Sequence, residues 1–121
     1  MIYLETPANP TLQIHSIKTA ADWAKKYTSE DHRIIVAVDN TFLGPILQRP
    51  LELGADLNIY SATKYIGGHS DLIAGAVSGE AEAMAKVFEY RTFFGGMADP
   101  YTSWMLARSM ETLQVRIDRQ I

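Results

Sequence analysis

Ile34-Ile35-Val36-Ala37-Val38-Asp39-Asn40 decides the fold class. Five apolar residues in a row, four of them β-branched, form too short a run for a core helix and show no alternation of wet and dry faces. This is the pattern of a strand covered on both sides, as in a parallel sheet flanked by helices. The run ends in a carboxylate, Asp39, followed by Asn40. Parallel strands need crossovers, so the flanking sequence is expected to be helical.

Upstream, Ile2-Tyr3-Leu4 reads as a strand that ends at Glu5, because Pro7 and Pro10 break regular structure. Ser16 is placed to cap a helix in which Ile17, Ala20, Ala21, Ala24 and Tyr27 recur at helical spacing. Downstream, Gly44-Pro45 turns the chain, and a short helix over about 46–53 leads through Gly54 to a third strand, Leu57 to Tyr60, which gives way to Ser61. A fourth strand is expected over Leu72 to Val77. Ser78 is expected to cap a helix with the stripe Ala81, Met84, Ala85 and Phe88. Asp99-Pro100 opens one long helix through Trp104, Met105, Leu113 and Ile117. The expected architecture is α/β with a mostly parallel sheet, whose polar strand ends Glu5, Asp39 and Ser61 outline a ligand site.

Composition narrows the partners. The 121 residues are 47% hydrophobic, carry a net charge of -3 and include no cysteine. One globular domain of ordinary size is implied. Nucleic acid and anionic membranes are disfavoured as main partners, because both select clustered Lys and Arg. Disulfides and thiolate metal sites are excluded, and no run is long enough for a membrane span, so a soluble cytoplasmic protein is the default expectation. The chain opens in a strand and stops at Ile121 inside a helical pattern, which reads as part of something larger.

The chemistry concentrates in Tyr60-Ser61-Ala62-Thr63-Lys64-Tyr65-Ile66-Gly67-Gly68-His69-Ser70-Asp71, directly after the third strand. Ser61 and Thr63 can donate hydrogen bonds to a phosphate. The Lys64 amine can form an imine with an aldehyde, and partial burial would favour its neutral, nucleophilic form. Those are the needs of a pyridoxal phosphate site. A lone lysine is usually a solvated one, but the other four lysines of the chain sit on polar helical faces. Asp39 taken alone reads as a turn residue bonding to Asn40-Thr41; beside Lys64 it reads as the partner of a protonated pyridine nitrogen. His69 reads as a loop-ordering residue, since His15 and His32 complete no metal set. Neither nucleotide-binding glycine pattern is present.

The stretches Leu4-Glu5-Thr6-Pro7-Ala8-Asn9-Pro10, Val38-Asp39-Asn40-Thr41-Phe42, Gly54-Ala55-Asp56 and Ser61-Ala62-Thr63-Lys64-Tyr65 with Gly68-His69-Ser70-Asp71 resemble the successive motifs of the cysteine/methionine-metabolism (transsulfuration) family of pyridoxal phosphate enzymes. The resemblance implies the aspartate aminotransferase-like (fold type I) architecture, with residues 1–121 a fragment of one large cofactor-binding domain. It implies that Lys64 holds the cofactor covalently, that Asp39 partners the pyridine nitrogen, that Ser61 and Thr63 bind phosphate, and that Asn9 lies near the ring hydroxyl. It further implies an amino-acid substrate, elimination or replacement at the γ-carbon of sulfur amino acids or activated homoserine, and a homodimer or homotetramer.

In that family the ring-stacking aromatic, a phosphate loop and the substrate-carboxylate arginine come from outside the part matched here. Ser109 departs from the family's usual Arg-Gly pair. Two other readings stand beside this one: a truncated, inactive fragment or assembly module, and another fold type I enzyme such as an aminotransferase or β-lyase.

Overall fold

The computed structural model describes residues Met1–Ile121. Four strands, β1 (Ile2–Glu5), β2 (Val36–Asp39), β3 (Leu57–Ser61) and β4 (Gly75–Gly79), lie side by side in the order β1-β2-β3-β4. β1 and β2 are parallel, as are β2 and β3, whereas β4 runs antiparallel to β3. The connections explain the directions. β1 reaches β2 through helix α1 (Ile17–Tyr27), and β2 reaches β3 through α2 (Gly44–Leu47) and a 3-10 turn (Pro50–Leu53). No helix separates β3 from β4, so the chain returns without a crossover and pairs in the opposite sense.

The expected two-sided burial of β2 is present: Val36, Ala37 and Val38 are each 1% exposed or less. One face is covered by α1, whose Ile17, Ala20 and Ala24 pack on Val36, Val38 and Ala55, with Ile2, Leu4 and Ile34 at the margin. α1 begins where the Ser16 hydroxyl accepts from Thr19 N at 3.1 Å. Tyr27, expected on the apolar stripe, is exposed instead, one turn beyond the last residue that reaches the sheet. At the amino end of the strands Arg33 is held by Asp56, Glu80 and Glu82, with contacts of 2.7 to 2.9 Å. Asp56 also accepts from Val36 N at 2.7 Å, so this corner ties the starts of β2 and β3 together, opposite the end of the sheet where the site lies.

Four expected boundaries are corrected, two of them around β4 and α3. β4 starts at Gly75 rather than Leu72, because Leu72 is buried under the preceding loop and ladder pairing begins only with Gly75 opposite Ser61. Ser78 therefore pairs with Asn58 in the sheet and does not cap α3 (Ala81–Phe94), which follows Glu80. The stripe of α3 lies uncovered: none of its residues is buried and Phe88 is 60% exposed.

The long C-terminal helix is two, α4 (Pro100–Met110) and α5 (Leu113–Gln120). In a continuous helix Ser109 O would accept from Leu113 N; here it accepts from Thr112 N at 3.3 Å and from Arg116 Nη2 at 2.8 Å. Likewise the helix expected over 46–53 divides at Gln48, whose backbone is extended, and at Arg49, which is also non-helical.

Candidate functional site

The last residues of the three parallel strands, Glu5, Asp39 and Ser61, line one cavity of about 1050 Å³. Asn9, Thr63 and Lys64 line the same cavity, so all five residues singled out from sequence, Asn9, Asp39, Ser61, Thr63 and Lys64, face a common space. Its position beyond the carboxyl ends of parallel strands is where open α/β sheets bind ligands. The volume is ample for a cofactor-sized molecule.

The loops are fixed from below. Asn40, fully buried, donates through Nδ2 to the carbonyls of Gly44 and Gln48, both at 2.9 Å. Gln48 Nε2 donates in turn to Asn40 Oδ1 at 2.8 Å and to Thr6 O at 3.0 Å. The loop that carries Asn9 is thereby anchored to the loop that follows Asp39. Thr41 joins the next pair: its N–H donates to Asp39 Oδ1 at 3.0 Å and its hydroxyl accepts from Ser61 N at 2.7 Å. The turn reading of Asp39 is thus present, and it occupies one carboxylate oxygen.

The other oxygen, Oδ2, accepts from the Tyr3 hydroxyl at 3.3 Å. Tyr3 was not singled out from sequence. Partial burial raises its pKa first, and the charges of Asp39 and Glu5 raise it further, so the phenol keeps its proton and remains a donor. Glu5 stands directly beside Asp39 in the β1–β2 register. Neither carboxylate belongs to any of the chain's ion pairs, which involve Asp22, Glu52, Asp56, Glu80 and Glu82. Two adjacent carboxylates without a cation favour a positively charged ligand group between or above them.

In the lysine segment, Lys64 N donates to Ser61 O at 3.1 Å, Gly67 N to Ala62 O at 2.8 Å and Gly68 N to Lys64 O at 2.7 Å, winding residues 61–68 into consecutive turns. His69 Nδ1 lies 2.7 Å from Gly67 O, in keeping with a loop-ordering part. The Lys64 amine, the Ser61 hydroxyl and the Asn9 side-chain amide make no hydrogen bond within the chain. Lys64 is exposed, so the burial expected to activate it is not supplied by these 121 residues. Thr63 differs from Ser61: its hydroxyl donates to Ala74 O at 3.2 Å and accepts from Ala74 N at 3.0 Å. That hydroxyl clasps the lysine segment to the entry of β4, and a phosphate contact would require it to release the Ala74 carbonyl.

The sequence matches the model of the Cys/Met metabolism PLP-dependent enzymes over residues 1–121. The chain belongs to that family. It is 44% identical over 117 residues to the cystathionine gamma-synthase/O-acetylhomoserine (thiol)-lyase of Bacillus subtilis, covering 96% of this chain and 30% of that protein. It is 43% identical over 121 residues to a cystathionine beta-lyase of Coxiella burnetii, covering 98% and 30%. The crystal structure of a cystathionine gamma-lyase from Lactobacillus plantarum, complexed with L-serine, superposes with a TM-score of 0.83 at 41% identity over 94% of this chain and 29% of that one. The chain thus spans about three tenths of the length of the relatives it matches.

The residues of this family member fit pyridoxal phosphate. The paired carboxylates Glu5 and Asp39 lack a cation that a pyridinium would supply, and the free Lys64 amine and Ser61 hydroxyl suit its aldehyde and phosphate. Tyr3 and Arg116, both missed from sequence, left signals there. Tyr3 is two residues from Glu5 and so shares its strand face, and Arg116 interrupts the apolar stripe Leu113 and Ile117.

Proposed function

We propose that residues 1–121 are a fragment of one pyridoxal phosphate-binding large domain, in an enzyme that carries out elimination or replacement at the γ-carbon of sulfur amino acids or activated homoserine. The observation that carries this reading is the convergence of Lys64, Asp39, Ser61 and Asn9 on one cavity at the carboxyl ends of parallel strands.

Lys64 is the residue that would hold the cofactor covalently, and its amine, when free, would take the substrate's α-proton and return it along the carbon chain as a positioned general base. Asp39 is the residue to pair with the ring nitrogen, with Thr41 N–H and the Tyr3 hydroxyl holding its carboxylate in place. Ser61 is the phosphate donor with a free proton, and Asn9 reaches the same cavity from the loop after β1. When bound, pyridoxal phosphate supplies an electron sink for the carbanion left by proton loss. No helix of the chain is long and apolar enough to cross a membrane. A cytoplasmic homodimer or homotetramer completes the reading.

The test mixes the full-length protein with pyridoxal phosphate, reduces it with borohydride and maps the modified lysine by mass spectrometry. A visible absorbance band and a pyridoxyl group on Lys64, both lost in Lys64→Ala, are expected. Incubation with cystathionine then separates the two regiochemistries: γ-cleavage releases cysteine and 2-oxobutanoate, β-cleavage homocysteine and pyruvate. A colourless protein, or labelling unchanged in Lys64→Ala, sinks the proposal.

A further inference from the structure

Arg116 on α5 is half-buried and makes four hydrogen bonds, none of them to a carboxylate. Nη1 donates to Tyr65 O at 2.7 Å, and Nη2 donates to Ile66 O at 3.1 Å and to Ser109 O at 2.8 Å. Nε donates to the Thr112 hydroxyl at 3.1 Å. Arg33 and Arg49, by contrast, pair with acidic side chains. Tyr65 and Ile66 are the two residues after Lys64, and the turn bonds of the lysine segment, at Gly67 N and Gly68 N, go to Ala62 O and Lys64 O. The guanidinium therefore takes two carbonyls that the turns leave over, those of Tyr65 and Ile66, as the next turn of a helix would. A planar fork of fixed donors suits that task and a lysine does not.

The backbone beneath it is shaped to admit the fork. Gly68 has φ +77°, and a Cβ at that position would lie 2.0 Å from Arg116 Nη1 and 2.6 Å from its Cζ. Gly68 is thus bare both for its left-handed backbone and for the room the guanidinium needs. At the far end, the grip on Ser109 O is one of the bonds that separate α4 from α5. One side chain couples the C-terminal helices to the segment that presents Lys64.

We propose that Arg116 is a positioning residue: it sets the backbone of the Lys64 turn, and through it the reach and reactivity of the Lys64 amine. This rests on the reading of Lys64 given above, but its primary test does not need the cofactor. Full-length, cofactor-free protein is labelled with trace acetic anhydride across a pH series, and amide exchange is followed at Gly67 and Gly68. In Arg116→Ala and Arg116→Lys, exchange at those two amides is expected to accelerate about tenfold or more, the scale of a lost hydrogen bond to a charged group. The labelling rate and pH profile of Lys64 are expected to change with it, while Lys18, Lys25, Lys26 and Lys86 keep theirs.

Gly68→Ala drives a methyl against the fork and is expected to give the same local signature with Arg116 in place. It serves as the second perturbation should Arg116→Ala fail to fold. In cofactor-loaded protein, the pH midpoint of the visible band is expected to move in the same variants. Exchange at Gly67 and Gly68 unchanged in the Arg116 variants, full rescue by lysine, or a shift shared by all five lysines overturns the proposal. Failure of the wild-type protein to bond the cofactor at Lys64 instead overturns the functional reading, and the cofactor-free measurements still judge Arg116.

Discussion

Glu5 and Asp39 are register partners at the carboxyl ends of β1 and β2, so two carboxylates stand side by side on one face of the sheet and line the same cavity. Like charges in adjacent positions weaken a sheet. Without a ligand, neutralising either one relieves that repulsion at the expense of weaker bonds from Thr41 N–H and the Tyr3 hydroxyl to Asp39 or from Asn9 N–H to Glu5; with a cationic ring it also removes the attraction.

Asp39→Asn keeps an oxygen for Thr41 N–H and is expected to leave the melting temperature of the cofactor-free protein unchanged or slightly higher. Its affinity for pyridoxal phosphate is expected to fall about ten- to a hundredfold, the range for losing a hydrogen bond to a charged group. Glu5→Gln should show the same sign and a smaller loss. Titration of the apo protein with cofactor, followed by absorbance, checks both; an unchanged affinity in Asp39→Asn removes Asp39 from the ring nitrogen.

Tyr3 gives this site a signature at alkaline pH. Its pKa is raised by partial burial, then by Asp39 and Glu5, so the folded state holds the phenolic proton more tightly than the unfolded chain. The stability linked to keeping this proton, from burial first and Asp39 second, is complete below the unfolded tyrosine value of about 10 and is lost as pH rises through the higher folded value. Ultraviolet difference titration should show one late-ionising tyrosine that disappears in Tyr3→Phe and titrates earlier in Asp39→Asn. It should not drop fully to the ordinary value, because burial is the larger cause. A titration unaffected by Asp39→Asn rules out the contact.

Much of this arrangement is legible in the sequence, and the exceptions share a cause. β2 announces itself because both of its faces are covered, and the Ser16 cap is a local bond between neighbours in the chain. The convergence of Asn9, Asp39, Ser61 and Lys64 follows from strand ends falling on one edge. What escapes the sequence depends on partners distant along it. Tyr3 meets Asp39 only through the β1–β2 register, α4 and α5 separate through the Arg116 bond to Ser109 O, and Leu72 leaves the ladder to pack beneath Gly67. The motif marks Thr63 as a phosphate donor, and its added bonds to Ala74, eleven residues on, are visible only in the fold.

Gly54 links the crossover to the sheet at a position where a side chain is strained and crowded. Its φ is +96°, and a Cβ would lie 2.9 Å from Ala21 Cβ on α1. Strain in the left-handed region and a collision with a packed helix add, so Gly54→Ala is expected to destabilise by about 1–3 kcal/mol. Gly95, also left-handed at φ +70° but with open space around it, supplies the control. Gly95→Ala should cost only the backbone term, about 1 kcal/mol. Urea denaturation of the two variants separates the terms; equal losses mean that α1 yields to the added methyl.

Asp99 governs the opening of α4, which contributes Tyr101, Thr102 and Met105 to the cavity wall. Its Oδ1 accepts from Tyr101 N at 2.9 Å and Thr102 N at 3.1 Å, and its Oδ2 accepts from the Thr102 hydroxyl at 2.6 Å. The hydroxyl bond, followed by the backbone bond from Thr102, holds the carboxyl below its ordinary pKa. A carboxylate depressed in the folded state contributes stability that is complete above the unfolded value of about 4 and is lost as pH falls through the lower folded value. Acidification below pH ~4 should therefore fray the first turn of α4. Asp99→Asn keeps one acceptor without the charge and should abolish that part of the acid sensitivity, whereas Asp99→Ala should fray the turn at every pH. Amide exchange at Tyr101 and Thr102 between pH 3 and 7 reads all three proteins; a pH dependence in Asp99→Asn equal to that of the wild type assigns the transition to another group.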